Sequence, residues 1–445
     1  MRQPAASRRV IVAYLSSGVL FILAASLIWA TNTIFLMRVG GLGIFEVMLV
    51  NAIFTVAQAV FEVPTGVVAD TIGRKASYLI AIGTILVSTV LYVVTPRLHW
   101  GFLGFCVASM LLGLGFTFQT GTVDAWLVDA LDHTGFTLPK ERVFAWGQMT
   151  SGAGMLVGSI VGGLLGQADL SFPFVARAVL LGAAFVVTAV LVKDLGFTPR
   201  PLKLSTFAAE SRTVFDAGVR FGWHDRVIRP LLFVSLVGGV FYMYGFYSWQ
   251  PYILGLVGHN YIWLLGVVQA GLSLTGIVGN SLVRVVMGSG ETRRNPARVL
   301  MWAAGLEAVF AASIGAVGLI FHQPGLVPAG VAISLWLVWG VIFGVTGPVR
   351  QGFINDHIPS TQRATVLSLD AFFGDAGGAA GQPALGWLSG RTSVGVGWVV
   401  GAVFIALTAP LYAWSDRAAR GKSRPANNEP PLDAGASTPG GVSVQ

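Results

Sequence analysis

The sequence predicts an all-α membrane protein of twelve transmembrane helices, arranged as two six-helix bundles related by a pseudo-two-fold axis. Three observations carry the membrane helices and their number, and an internal repeat, set out below, carries the two bundles. Hydrophobic residues make up 54% of the 445 residues and charged residues only 11%, whereas a soluble domain carries about 25% charged residues. Apolar segments recur at lengths close to the roughly 20 residues that cross a bilayer. Lysine and arginine collect in alternate loops between those segments.

The apolar segments place spans near residues 10–37, 44–69, 76–95, 100–131, 143–166 and 171–192, then 230–256, 260–286, 297–321, 326–348, 363–389 and 395–414. The first begins near Val10 behind Arg8 and Arg9. It is too long for a signal-peptide core and lacks a small-residue cleavage site, so it reads as a membrane helix. A polar stretch, 193–229, separates an N-terminal bundle (1–192) from a C-terminal one (230–414). Within it, 205–224 reads either as an amphipathic surface helix or as a plain solvated linker. The segment 415–445 is rich in Pro, Ala, Gly and Asn and is expected to be disordered.

Loop charge sets the orientation. Of the 28 Lys and Arg residues, only Arg38, Arg97, Arg177 and Arg391 fall on one side. Basic residues collect in cytoplasmic loops, so both termini are expected in the cytoplasm, the span number is even, and the plasma membrane is the expected location.

The same composition excludes other classes. The net charge of +8 is spread between apolar runs, which is not the pooled basic face of a nucleic-acid binder. Cys106 is the only cysteine, so no internal disulfide forms. The six histidines lie scattered near loops, without an H-E-x-x-H pair, and no phosphate-binding G-x-x-x-x-G-K-[ST] occurs. Neither an enzyme nor an ATP-driven pump is indicated, and no metal or cofactor is expected.

The two halves repeat. Thr120-Gly121-Thr122-Val123-Asp124, with Asp129 five residues on, closes span four; Thr346-Gly347-Pro348-Val349-Arg350, with Asn355 five residues on, closes span ten. Each is followed by a polar loop, by a basic residue (Arg142 or Arg363) and by a glycine-rich span. Parallel six-span repeats are one way to build a carrier with its substrate site between the halves.

The loop after span two reads Gly66-Val67-Val68-Ala69-Asp70-Thr71-Ile72-Gly73-Arg74-Lys75, preceded by Glu62-Val63-Pro64-Thr65. It resembles the signature G-x-x-x-D-x-x-G-R-[K/R] of the major facilitator superfamily, and the six-plus-six layout matches that family. The resemblance implies that Asp70 and Arg74 join a charge network tying the halves together in the outward-facing state. Asp129, at the same end of span four, is the expected partner of Arg74. Gly66 is expected to let helices approach closely and Gly73 to make the tight turn, while Arg74 and Lys75 also mark the inner face. In the second half, Gly279 to Arg294 keeps Arg284, Arg293 and Arg294 but has no Asp, so a second charge lock is not expected. Gly154-x-x-x-Gly158-Ser159-x-x-Gly162-Gly163 in span five resembles the family's antiporter motif with serine in place of proline. It is equally the pattern of a glycine packing face.

Ionisable groups inside spans are expensive and so are functional candidates. Glu62 belongs with the signature loop. Asp124 and Arg350, at equivalent places in the repeats, are expected to pair across the gate. Asp370 and Asp375 in span eleven, with Glu62, are candidate proton carriers; for Asp370 the alternative is a bond to basic loop residues. Glu307 has no assigned role, and Arg177 is expected to snorkel outward. The resemblance implies that spans one, four, seven and ten line the cavity. The cavity candidates are then Trp29, Asn32, Gln119, Tyr244, Trp249, Gln250, Trp336 and Trp339, with Asn32 and Gln119 first. The function expected is proton-coupled export of small organic molecules by a monomer. Uptake by proton symport, or a non-transporting sensor with the same fold, are the alternatives.

Overall fold

The computed structural model describes residues 4–197, 222–359 and 362–422. The N-terminal half holds α1 (Ala5–Ser26), α2 (Asn32–Arg38), α3 (Ile44–Ile72), α4 (Arg74–Arg97), α5 (Gly101–Gln119), α6 (Thr122–His133), α7 (Glu141–Ala168) and α8 (Phe172–Leu191). The C-terminal half holds α9 (Ile228–Val257), α10 (Ile262–Met287), α11 (Pro296–Ile320), α12 (Leu326–Asp356), α13 (Arg363–Arg391) and α14 (Val394–Lys422). Among the described residues, eleven spans are long and apolar enough to cross a membrane. The twelfth, α13, has 29 residues and is diluted by glycine and two aspartates.

Three departures from the sequence reading matter. Span one is broken, with α1 stopping at Ser26 and α2 starting at Asn32. Span four is broken at Thr120–Gly121, where Gly121 has a φ of 71°. The segment from Ser415 is not disordered at its start, because α14 runs on to Lys422. There Ser415 donates to the Val227 carbonyl (2.9 Å), and Asp416 accepts from Asn295 (2.7 Å) and pairs with Arg420 (2.6 Å). The rest of the tail, and all but the last three residues of the expected 205–224 helix, lie outside the described residues.

Each bundle packs by the same scheme. In the first, α1 lies against α7 and α8; in the second, α9 lies against α13 and α14. The bundles meet through α3 with α13 and α7 with α10, a pairing that the pseudo-two-fold exchanges. Glycines set the close contacts both within the bundles and between them. Within a bundle, a Cβ at Gly162 would run into the carbonyl of Leu27, the residue that caps the end of α1, and one at Gly381 into Val240 of α9. Gly163 sits against Gly266 of α10, where a Cβ would come within 2.8 Å of backbone. Large apolar residues such as Leu103, Val179, Val285 and Trp302 are exposed around the outside, as a lipid-facing surface requires.

Call the end where α1 begins and α14 finishes the basic end. The interbundle contacts gather in the other, far half: Met48 against Gly386, Ile44 against Gly390, Gly163 against Gly266, and Gln382 donating to Thr55 (3.2 Å). Toward the basic end, Glu62, Asp124 and Gln148 are exposed and Gln119 and Asp375 half-exposed. The bundles are thus sealed on the far side and parted on the basic side.

Candidate functional site

The signature loop forms the α3–α4 hairpin. Gly73 joins the helices with φ 103° and ψ 152°, a region essentially reserved for glycine. Asp194, just after α8, lies over it: its Oδ1 accepts from the Lys75 backbone N–H (2.8 Å), and its Oδ2 would stand 2.6 Å from a Cβ at position 73. A carboxylate here satisfies a free N–H and the positive pole of the N-terminus of α4. Lys75 reaches the Ala189 carbonyl (2.7 Å). Arg74 pairs with Asp70 one turn back (2.8 Å) and lies over the Phe197 ring. It does not pair with Asp129, whose main-chain carbonyl instead lies beneath Gly196. Gly66 has open space on its Cα; with the bundles parted here, no second helix approaches it.

The break in span one is held from the other bundle. Chain leaving helical geometry strands the Trp29 carbonyl and the Thr33 N–H, which need partners when buried. The side-chain amide of Gln250 on α9 supplies both: Nε2 donates to Trp29 O (2.8 Å) and Oε1 accepts from Thr33 N (2.9 Å). The Thr33 hydroxyl adds a bond to the Tyr247 carbonyl (2.8 Å). Gln250 is 1% exposed. The Asn32 amide nitrogen points to Asn51 Oδ1 of α3, in its own bundle, at 3.5 Å.

Each bundle holds a cavity on the basic side of this seal. The N-terminal one, about 310 Å³, runs from Trp29 past Gln119 to Tyr14 and Asp124. The Tyr14 hydroxyl reaches Asp124 at 3.5 Å. The C-terminal one, about 360 Å³, is lined by Tyr242, Glu307, Thr346, Arg350, Asp370 and Asp375, among others. Arg350 grips Asp370 with two nitrogens (2.6 and 2.8 Å) and donates to Ser235 (2.6 Å). The expected Asp124–Arg350 pair is therefore absent: a carboxylate on a neighbouring helix of its own bundle has taken the guanidinium. Glu307 reaches inward from α11 and is 1% exposed. It accepts from the hydroxyls of Tyr242 (2.6 Å) and Thr346 (3.0 Å). Glu62 of α3 and Asp375 of α13 lie on opposite sides of the interface, near enough for their charges to influence each other.

The aromatic candidates divide. Trp29 and Gln119 line the N-terminal cavity. Tyr244, Trp249, Trp336 and Trp339 are buried in the far-half core, packed with Trp398 and Phe241. Tyr244 is bonded to Ser389 (2.6 Å). Arg177 does not snorkel: it is 2% exposed inside the first bundle, with Nε and Nη2 unpartnered. Sequence reading missed Asp194, Ser235 and Tyr242. Only Asp194 had a local signal, as an acid directly after a span.

The sequence matches the Major Facilitator Superfamily over residues 14–382. The chain belongs to that family. It is 24% identical over 375 residues to the tetracycline resistance protein, class G, of Vibrio anguillarum, covering 81% of this chain and 85% of the relative. It is 25% identical over 380 residues to the class C protein of Escherichia coli, covering 82% and 86%. Among solved structures, the nucleoside transporter NupG superposes with a TM-score of 0.71, covering 93% of this chain and 99% of NupG at 12% identity, which shows the shared fold. A D-xylose-proton symporter superposes at 0.69. This major facilitator chain is thus a multi-pass membrane transporter.

Proposed function

We propose that the chain exports small organic molecules across the plasma membrane in exchange for protons, by alternating access, with its basic end in the cytoplasm. The observation that carries the alternating-access part of this reading is the asymmetry of the interface: the far half is sealed by glycine contacts and Gln250, while cavities lie on the basic side. A ligand would enter this arrangement from the basic side; the direction of net transport rests on the relatives named below. The signature loop supports the other half of the cycle. Asp70 and Arg74 wait as a local pair and are free to engage the second bundle when the basic side closes.

Carboxyls supply the coupling. Asp370 is committed to Arg350, which leaves Glu62, Asp375 and Glu307 without an ion pair among the described residues. A carboxylate in the membrane with no cation partner is costly, and taking up a proton removes that cost. The tetracycline-resistance relatives support export as the direction. The test compares cells expressing the intact chain and its Asp70→Asn variant, by accumulation of tetracycline and a panel of dyes, with and without an uncoupler. Lower accumulation that the uncoupler and Asp70→Asn both restore is the expected result. No change in accumulation of any compound counts against export.

A further inference from the structure

The Trp29 carbonyl and Thr33 N–H present an acceptor and a donor side by side at the top of the N-terminal cavity, which Trp29 itself lines. One planar amide, that of Gln250, meets both, at 2.8 and 2.9 Å. Gln250 belongs to the opposite bundle, 217 residues away in sequence from Thr33. Any motion that parts the bundles on the far side must withdraw it and leave the pair bare. Unwound backbone in a transporter helix commonly contacts the cargo. We propose that the break in span one is a docking site for the planar amide or carboxylic acid edge of a ligand, and that Gln250 is its built-in surrogate. Gln250 fills the site when the far side is sealed. A ligand presenting C=O and N–H (or O–H) side by side fills it when the bundles part, contributing to binding what Gln250 contributed to closure.

The neighbourhood fits a neutral polar edge. Ile28, Ala30 and Ile34, which flank the pair along the chain, and Trp249, which precedes Gln250, are all buried, and the site's own groups are one carbonyl and one amide N–H, with no charge to neutralise. The Thr33–Tyr247 bond is a second tie between the same segments, so losing Gln250 weakens the seal without abolishing it.

This site is the upper end of the pathway proposed above, but its test needs no transport. The reporter is Met48→Cys in a Cys106→Ser background. Met48 is 0% exposed, on α3, and packed against Gly386 of α13. Purified protein in detergent is labelled with a maleimide. Gln250→Met keeps the bulk and deletes both bonds; Gln250→Ala also empties the space. Both are expected to raise the labelling rate about tenfold or more, since two hydrogen bonds of ordinary net strength hold the seal. Propionamide, at tens of millimolar, is expected to return the Gln250→Ala rate toward that of the parent, while butanone, similar in size but without N–H, leaves it high. Labelling of the Gln250→Met and parent proteins at equal rates overturns the surrogate role. Equal effects of propionamide and butanone overturn the amide site. If Gln250→Ala does not purify as a single species, the rate for Gln250→Met decides the surrogate role, and Gln250→Ser, which also empties the space, takes its place with propionamide and butanone; equal effects of the two there overturn the amide site.

Discussion

Arg350 and Asp370 illustrate what a single residue contributes here. Their bidentate pair, backed by Ser235, sits where burial makes each charge tolerable only because of the other. Removing one partner of such a pair costs about 3–5 kcal/mol, more than replacing both with apolar groups. Arg350→Leu is therefore expected to lower the thermal midpoint in detergent strongly, and Arg350→Leu with Asp370→Leu to recover most of the loss. A double variant no better than the single one would show the pair is not what stabilises this region. Gly73 makes a second case. Its backbone geometry and the Asp194 carboxylate over it both exclude a side chain. Gly73→Ala is expected to lose roughly 1–3 kcal/mol and, through displaced Asp194, to free the N-terminus of α4, read as faster hydrogen exchange at the Lys75 amide. The sequence made Gly73 legible because a signature surrounded it. It could not reveal Arg350's partner, since Asp124 matched by repeat position while Asp370 matched by proximity, and proximity is a property of the fold.

At the scale of elements, two glycine stripes do different jobs within one helix. Gly162 of α7 is pressed on the Leu27 carbonyl inside its own bundle, whereas its neighbour Gly163 is pressed on Gly266 across the interface. Adding bulk to a packed site costs about 1–3 kcal/mol or more, but the outcome depends on what can move. Gly162→Leu is expected to reduce thermal stability, because α1 and α7 cannot separate without losing the bundle. Gly163→Leu is expected to leave the thermal midpoint nearly unchanged while exposing a cysteine at Met48, because whole bundles can part. Reversal of that contrast would contradict the assignment of the two faces. The glycine spacing was visible in the sequence as both an antiporter-like motif and a packing face; the structure shows packing on two sides. The break in span one was not visible. Leu27-Ile28-Trp29-Ala30-Thr31 reads as continuous apolar helix, and what stabilises its interruption lies on α9.

For the whole molecule, the fold was legible because loop charge alternates with span number, and a bilayer enforces that alternation more strictly than any local propensity does. The span limits read from hydropathy lie close to the observed helices, apart from the two breaks and the longer ends of α12 and α14. The site was less legible. Aromatics on spans seven and ten, such as Trp249 and Trp336, were expected at a cavity and instead seal the far half. Which residues line a cavity depends on which side is open, and that is a property of the packed bundles, not of the local sequence.

Export driven by a proton gradient can be measured directly. Inside-out membrane vesicles holding this chain, given an imposed inward-acid proton gradient, should accumulate labelled tetracycline or one of the panel dyes above vesicles lacking it. An uncoupler should abolish the excess, and Asp375→Asn or Glu307→Gln should lower it severalfold. Accumulation that persists after the gradient is collapsed, or none for any compound at normal protein levels, would contradict proton-coupled export.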